Sequence, residues 1–268
     1  MNMLKKVQSF LKNHPFIFAL FALLISRIAG MLTIKLVQLV NPDLTIQAEL
    51  GWLLMAVYAS VVVSLVYWTD TAAEIGLKRP HSIKEWMLFI PLLSLPILIL
   101  AYNGIYSWGF AQNLILLIAA IGVSINEEVL FRGILLRGFM KWGPWVAIFV
   151  PSGLFALAHS TNIFVGSDPT FALFQTFWTF TAGIMLSAIR LRTGSLYPVI
   201  LFHILLDGVE YFSTGRYGVH PEGISTTFLL TFLVLNIILA IYAVILFYRG
   251  SKNRPEATTL KLQKAHLS

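Results

Sequence analysis

Eight apolar runs, each near the roughly 20 residues that cross a hydrocarbon core, take up most of this chain. Backbone N–H and C=O groups find no water in lipid, so a chain that crosses it does so as helices or as a closed barrel. Continuous apolar runs, in place of short alternating segments, select helices. The runs fall at about 16–40, 50–68, 86–102, 110–131, 145–164, 171–189, 195–212 and 226–248. The expected fold is therefore all-α: a polytopic integral membrane protein with about eight transmembrane helices. Composition agrees, with 57% of residues hydrophobic and 12% charged. A soluble domain carries about twice that charged share. The fourth run extends past the hydrocarbon as a basic, amphipathic helix to about Met140.

The few basic residues are not scattered. Lys5, Lys6 and Lys12 precede the first run, and the next connection, 41–49, has no Lys or Arg. Lys78, Arg79 and Lys84 follow the second run, and 103–109 again has none. Arg132, Arg137 and Lys141 mark the fourth connection, 161–170 is bare, and Arg190 and Arg192 mark the sixth. Arg216 alone stands in the seventh connection, and Arg249, Lys252, Arg254, Lys261 and Lys264 crowd the tail. This alternation places both termini in the cytoplasm. The net charge of +7 is thus a record of topology and not a nucleic-acid signal. The first partner it implies is the lipid bilayer.

The organisation reads as a basic cytoplasmic segment at 1–15, one membrane domain at 16–249, and a polar basic tail at 250–268 that is expected to be poorly ordered. The first run is too long for a signal-peptide core and has no small-residue cleavage site. There is no cysteine, hence no disulfide, thiolate metal site or cysteine nucleophile. No internal repeat is evident.

Ionisable side chains inside such runs mark functional sites. Glu127 and Glu128 stand together in the fourth run, with Arg132 four residues after Glu128; His159 lies in the fifth, and His203 and Asp207 in the seventh. The sequence Lys141-Trp142-Gly143-Pro144 reads as a turn between antiparallel helices. Glu127 precedes Gly143 by about as many residues as His159 follows it, roughly 24 Å along each helix, so the two should face each other. His203 and Asp207 share a helix face and fall at a compatible depth. Glu127 and Glu128 point about 100° apart and must do different work.

A buried carboxylate beside an imidazole can activate water, and a second imidazole can stabilise an oxyanion. Alternatively, Glu127, His159, His203 and Asp207 could hold Zn2+ with an open position. Either route gives hydrolysis of an acyl bond. The soluble zinc-protease pattern H-E-x-x-H is absent. Plainer readings exist for each residue taken alone. Glu128 and Arg132 can neutralise one another as an i,i+4 structural pair. His159 can serve as an interhelical hydrogen-bonding group, and His203 with Asp207 as a self-satisfied couple. The aromatic stretch 171–180 reads as packing or lipid contact. Lys35 can snorkel outward, His220 and Glu222 sit in an outer loop, His81 and His266 look incidental, and Arg27 finds no explanation in the sequence.

Glu127-Glu128-Val129-Leu130-Phe131-Arg132-Gly133 resembles the Glu-Glu-x-x-x-Arg motif of the CPBP intramembrane proteases. This family includes the type II CAAX prenyl endopeptidases and the bacteriocin-processing, Abi-like proteins. Phe155-Ala156-Leu157-Ala158-His159 is similar to its Phe-x-x-x-His motif, and Phe202-His203-Ile204-Leu205-Leu206-Asp207 to its His-x-x-x-Asn/Asp motif. Arg192-Thr193-Gly194-Ser195-Leu196-Tyr197-Pro198 also looks familial. The resemblance implies eight helices, a protease core at 110–212 and a cavity open to the cytoplasm. It implies water activation by Glu127 and His159 and oxyanion stabilisation by His203 and Asp207, while Glu128 and Arg132 keep the structural, supporting role read from their spacing. Family members are also described as metalloproteases, and Asp207, standing where the eukaryotic prenyl proteases have Asn, favours a metal. The expected function is an intramembrane endopeptidase of bacterial type acting on a membrane-associated peptide or protein, by CAAX-type or leader-type processing. The alternatives are a non-catalytic scaffold or bacteriocin self-immunity protein of the same fold and, further off, an ion-coupled transporter.

Overall fold

In the computed structural model, which describes residues 3–44, 49–216 and 225–252, every regular element is a helix. A short helix α1 (Met3–Asn13) leads into α2 (Pro15–Val40). Pro15 opens α2 at its first turn, where a missing N–H does no harm, and Pro42 follows its end. Next come α3 (Gly51–Trp68), a single turn α4 (Ala72–Ile75), α5 (Ile83–Met87) and α6 (Ser94–Asn103). After these stand α7 (Phe110–Glu127), α8 (Leu136–Phe139), α9 (Pro144–Ser160), α10 (Pro169–Thr193), α11 (Tyr197–Thr214) and α12 (Thr226–Lys252).

Seven segments among the described residues are long and apolar enough to cross a membrane, including Phe110–Trp142 as one continuous rod. The eighth expected run, 195–212, is α11, whose 18 residues are diluted by His203, Asp207 and Glu210. The third run departs from a plain helix. It is α5, a 3-10 turn at Ile90–Leu93, and then α6. Pro91 and Pro96 remove two backbone donors there. The Tyr242 hydroxyl of α12 donates to the Leu88 carbonyl at 3.2 Å, three residues before Pro91, and takes up part of the loss.

Helices in lipid gain little from burying apolar surface, so close packing at small residues joins them. A methyl group at Gly122 of α7 would stand 2.7 Å from the Met55 carbonyl carbon of α3. On the other side, α10 packs between α9 and α12. A small cluster of Leu116, Ala119, Ala120 and Tyr211 and two larger apolar cores result. One joins α1 to α4 with Val129, Leu130, Ile134 and Leu196. The other joins α6 with α9 to α12 through residues such as Leu95, Ile148, Met185, Phe202 and Ala243. The polar residues of interest lie on the seam between them.

Several details resolve expectations. The Arg27 guanidinium carbon lies 4.5 Å over the Tyr58 ring, a cation–π contact between α2 and α3. Lys35 is exposed. The aromatic stretch of α10 packs edge-on, Phe171 with Trp178 at 5.2 Å and Trp178 with Phe232 at 5.1 Å, while Phe177 faces outward. His81 takes no part in the seam; His220, Glu222 and His266, with most of the 250–268 tail, lie outside the described residues.

Candidate active site

The helix that begins as α7 changes register where the paired acids stand. Glu128–Leu135 is a π-helical segment, followed by α8 and a 3-10 turn at Met140–Trp142. Such segments are rare and concentrate at functional positions. Glycine at 133 allows the close approach here: a methyl group there would meet Ile75 Cδ1 at 3.2 Å and Leu196 Cδ1 at 3.3 Å. Gly143 then takes φ 101° and turns the chain into α9. The turn expected at Lys141-Trp142-Gly143-Pro144 is therefore present, and it brings α9 back antiparallel.

Glu127 and His159 meet, as their equal distance from Gly143 suggests. His159 Nε2 lies 4.0 Å from Glu127 Oε1. From the third side, α11 brings His203 Nε2 to 3.8 Å from Glu127 Oε2 and 3.4 Å from Asp207 Oδ2. A direct N–H···O bond is about 2.7–3.2 Å long, so both Glu127 separations are too wide for one. They leave the two imidazole edges aimed at one carboxylate with space for a small polar atom bonded to both.

The other ring nitrogens are committed. His159 Nδ1 lies 2.9 Å from the Phe155 carbonyl, which can only accept, so Nδ1 carries the proton. His203 Nδ1 lies 2.7 Å from Glu128 Oε1, and Arg132 Nη1 donates to that same oxygen at 2.9 Å. The Glu128 carboxylate is thus an acceptor shared by a guanidinium and an imidazole, and His203 Nδ1–H is the donor. Both histidines in consequence present Nε2 to Glu127.

The two neighbouring acids have separate surroundings. Glu128 is fully enclosed and Arg132 is 1% exposed, whereas the Glu127 side chain is 22% exposed. Only Glu127 can meet a substrate or water. The expected site residues Glu127, His159, His203 and Asp207 are therefore gathered by three segments, and Glu128 with Arg132 lies directly behind them.

The sequence reading places Phe155 in the Phe-x-x-x-His motif but gives it no role of its own. Its ring face carries the Arg132 guanidinium carbon at 4.2 Å and its edge packs on the His159 ring at 4.4 Å. Phe131 packs edge-on to it at 5.0 Å. The spacing of four between Phe155 and His159 places both on one helix face and is the signal that could have found it. Also unforeseen was the bond from His203 to Glu128, which spans 75 positions of sequence.

The donor types suit zinc, but the spacing does not. A tetrahedral ion with bonds near 2.1 Å sets its ligand atoms about 3.4 Å apart. The His203–Asp207 pair has that separation, while the two Glu127 contacts are wider. Among the described residues no group of three or more His, Asp or Glu is arranged to hold a metal.

Residues 109–209 match the family model described as type II CAAX prenyl endopeptidase Rce1-like. An Escherichia coli protein described as "Uncharacterized 24.3 kDa protein" is 34% identical over 96 residues, a stretch covering 34% of this chain and 40% of that protein. The match thus spans less than half of that relative's length. No solved structure matches the chain. The family segment, 109–209, covers less than half of the chain and contains Glu127, Glu128, Arg132, Phe155, His159, His203 and Asp207, so the stretch that carries the site is similar to the type II CAAX prenyl endopeptidases.

Proposed function

We propose that this protein is an intramembrane endopeptidase that hydrolyses a peptide bond in a membrane-associated peptide or protein, at the cytoplasmic side of the cell membrane. The observation that carries this reading is the Glu127 carboxylate, faced on its two oxygens by His159 Nε2 at 4.0 Å and His203 Nε2 at 3.8 Å. A water held between Glu127 and His159 gives its proton to Glu127 as its oxygen attacks the scissile carbonyl carbon. His203, carrying protons on both nitrogens, donates Nε2–H to the developing oxyanion while Asp207 and Glu128 hold the ring in place. Collapse breaks the C–N bond, and protonated Glu127 returns its proton to the leaving amine. Each step balances with water as the only co-reactant.

The test is cleavage of a membrane-peptide library by purified protein in bilayers. Glu127→Gln keeps shape and removes the base, so the rate should fall about 10²–10⁴-fold, with thermal unfolding unchanged. A biological function that survives Glu127→Gln intact would identify a scaffold or immunity protein instead. Asp207→Asn, measured with metal analysis, addresses zinc. Asparagine should retain most activity if residue 207 only orients His203. Joint loss of stoichiometric zinc and activity would replace the route above with a metal-held water.

A further inference from the structure

We infer that α1 is an interfacial helix that docks on anionic lipid, with one face among acyl chains and its lysines at phosphate headgroups. Its 11 residues extend about 16 Å, too short to cross a bilayer. Its level is nonetheless fixed. Only His14 separates it from Pro15, where the first membrane-crossing helix begins. A boundary marker stands nearby: Lys141 Nζ lies 5.0 Å over the Phe16 ring and 4.1 Å over the Trp142 ring, and Phe16 packs on Phe139 at 4.8 Å. Clustered aromatic and basic residues of this kind sit at the headgroup level.

The rotation of α1 is fixed as well. Leu11 is buried against the protein. The Gln8 amide donates to the Trp68 carbonyl at the end of α3. Lys12 Nζ donates to the Asp70 carbonyl at 3.0 Å and pairs with Glu74 Oε1 at 3.3 Å. Arg137 Nη2 donates to the Lys12 carbonyl at 2.9 Å and pairs with Glu74. At about 100° per residue, these contacts leave Met3, Val7 and Phe10 on one free strip spanning about 60°. All three are exposed, Met3 at 75%. Across the helix from that strip stand Lys5 and Ser9, with Lys6 at its border beside Phe10. Lys5 and Lys6 form no ion pair among the described residues, unlike Lys12. An apolar strip with unpaired Lys6 at its border and unpaired Lys5 on the polar face, held at the edge of the hydrocarbon, complements an anionic bilayer surface.

The chain has no cysteine, which makes the test direct. Single variants Val7→Cys and Ser9→Cys are labelled with an environment-sensitive fluorophore in the full chain. They are then reconstituted in phosphatidylcholine vesicles with or without about one-third phosphatidylglycerol. The Val7→Cys probe should be quenched by acyl-chain nitroxide lipid and shielded from aqueous iodide, and the Ser9→Cys probe should behave in the opposite way. Anionic lipid should raise the lipid-inserted fraction of the Val7→Cys probe about 30-fold relative to the water-exposed fraction, the order expected of two lysines at about 1 kcal/mol each. Adding Lys5→Gln and Lys6→Gln should erase that difference. Equal insertion in neutral and anionic vesicles overturns the inference, and so does a Val7→Cys probe shielded from both quenchers, since a protein surface then covers the strip.

Discussion

At the residue scale the site is a chain of contacts in which each side chain fixes the next. Phe155 supports Arg132, Arg132 and His203 share Glu128 Oε1, and His203 faces both Asp207 and Glu127. Arg132→Ala strands an enclosed carboxylate, and breaking a buried pair costs about 3–5 kcal/mol. The variant should show a clearly lowered melting temperature and folded yield in detergent; wild-type melting would mean that water reaches Glu128. Phe155→Leu separates positioning from stability. It keeps apolar volume but removes the ring face under Arg132, an interaction of about 0.5–2 kcal/mol. Cleavage should fall about tenfold with melting nearly unchanged, and Phe155→Tyr should restore it. Of this chain of contacts, the sequence displayed the local links. Glu128–Arg132 and His203–Asp207 are four apart on single helices and could be read directly. The His203–Glu128 bond could not, because a contact between distant positions depends on how α11 is rotated against the π-helical segment.

At the scale of elements, hydropathy located the helices but averaged over their internal geometry. Pro91 and Pro96 were visible in the third run, yet an apolar window is blind to them, and the segment breaks into α5, a 3-10 turn and α6. The π-helical segment leaves no mark on hydropathy at all. Its apolar residues and the paired acids suit an α-helix equally well, and only the packing of Gly133 against Ile75 and Leu196 distinguishes it. Close packing makes a prediction at Gly122. Alanine there puts a carbon 2.7 Å from the Met55 carbonyl carbon, and backbone cannot yield as a side-chain tip can. Gly122→Ala should destabilise the protein by about 1–3 kcal/mol, seen as earlier thermal unfolding. Unaltered melting would show that α3 and α7 can separate without loss.

At the scale of the whole molecule, α11 decides between seven and eight crossings. Counting only the segments that are apolar throughout gives seven and puts the two ends of the chain on opposite sides of the membrane. The alternation of basic connections predicts the same side for both, which requires α11 as an eighth crossing. It can cross despite His203, Asp207 and Glu210 because its polar residues need not face lipid. His203 and Asp207 point into the site, and Pro198, Val199 and Phe202 are buried. The polar residues that α11 carries, two of them turned into the seam, are thus what weaken its membrane signal. Single cysteines in this cysteine-free chain decide the matter. Ser9→Cys, Lys84→Cys and Ser251→Cys should react with a membrane-impermeant maleimide only after intact cells are permeabilised, and Ser107→Cys should react at once. Immediate labelling at Ser251→Cys with protection at Ser9→Cys would mean that α11 does not cross. The α12 helix would then run in the opposite direction, and the basic residues at its end would violate the charge rule that the other connections obey.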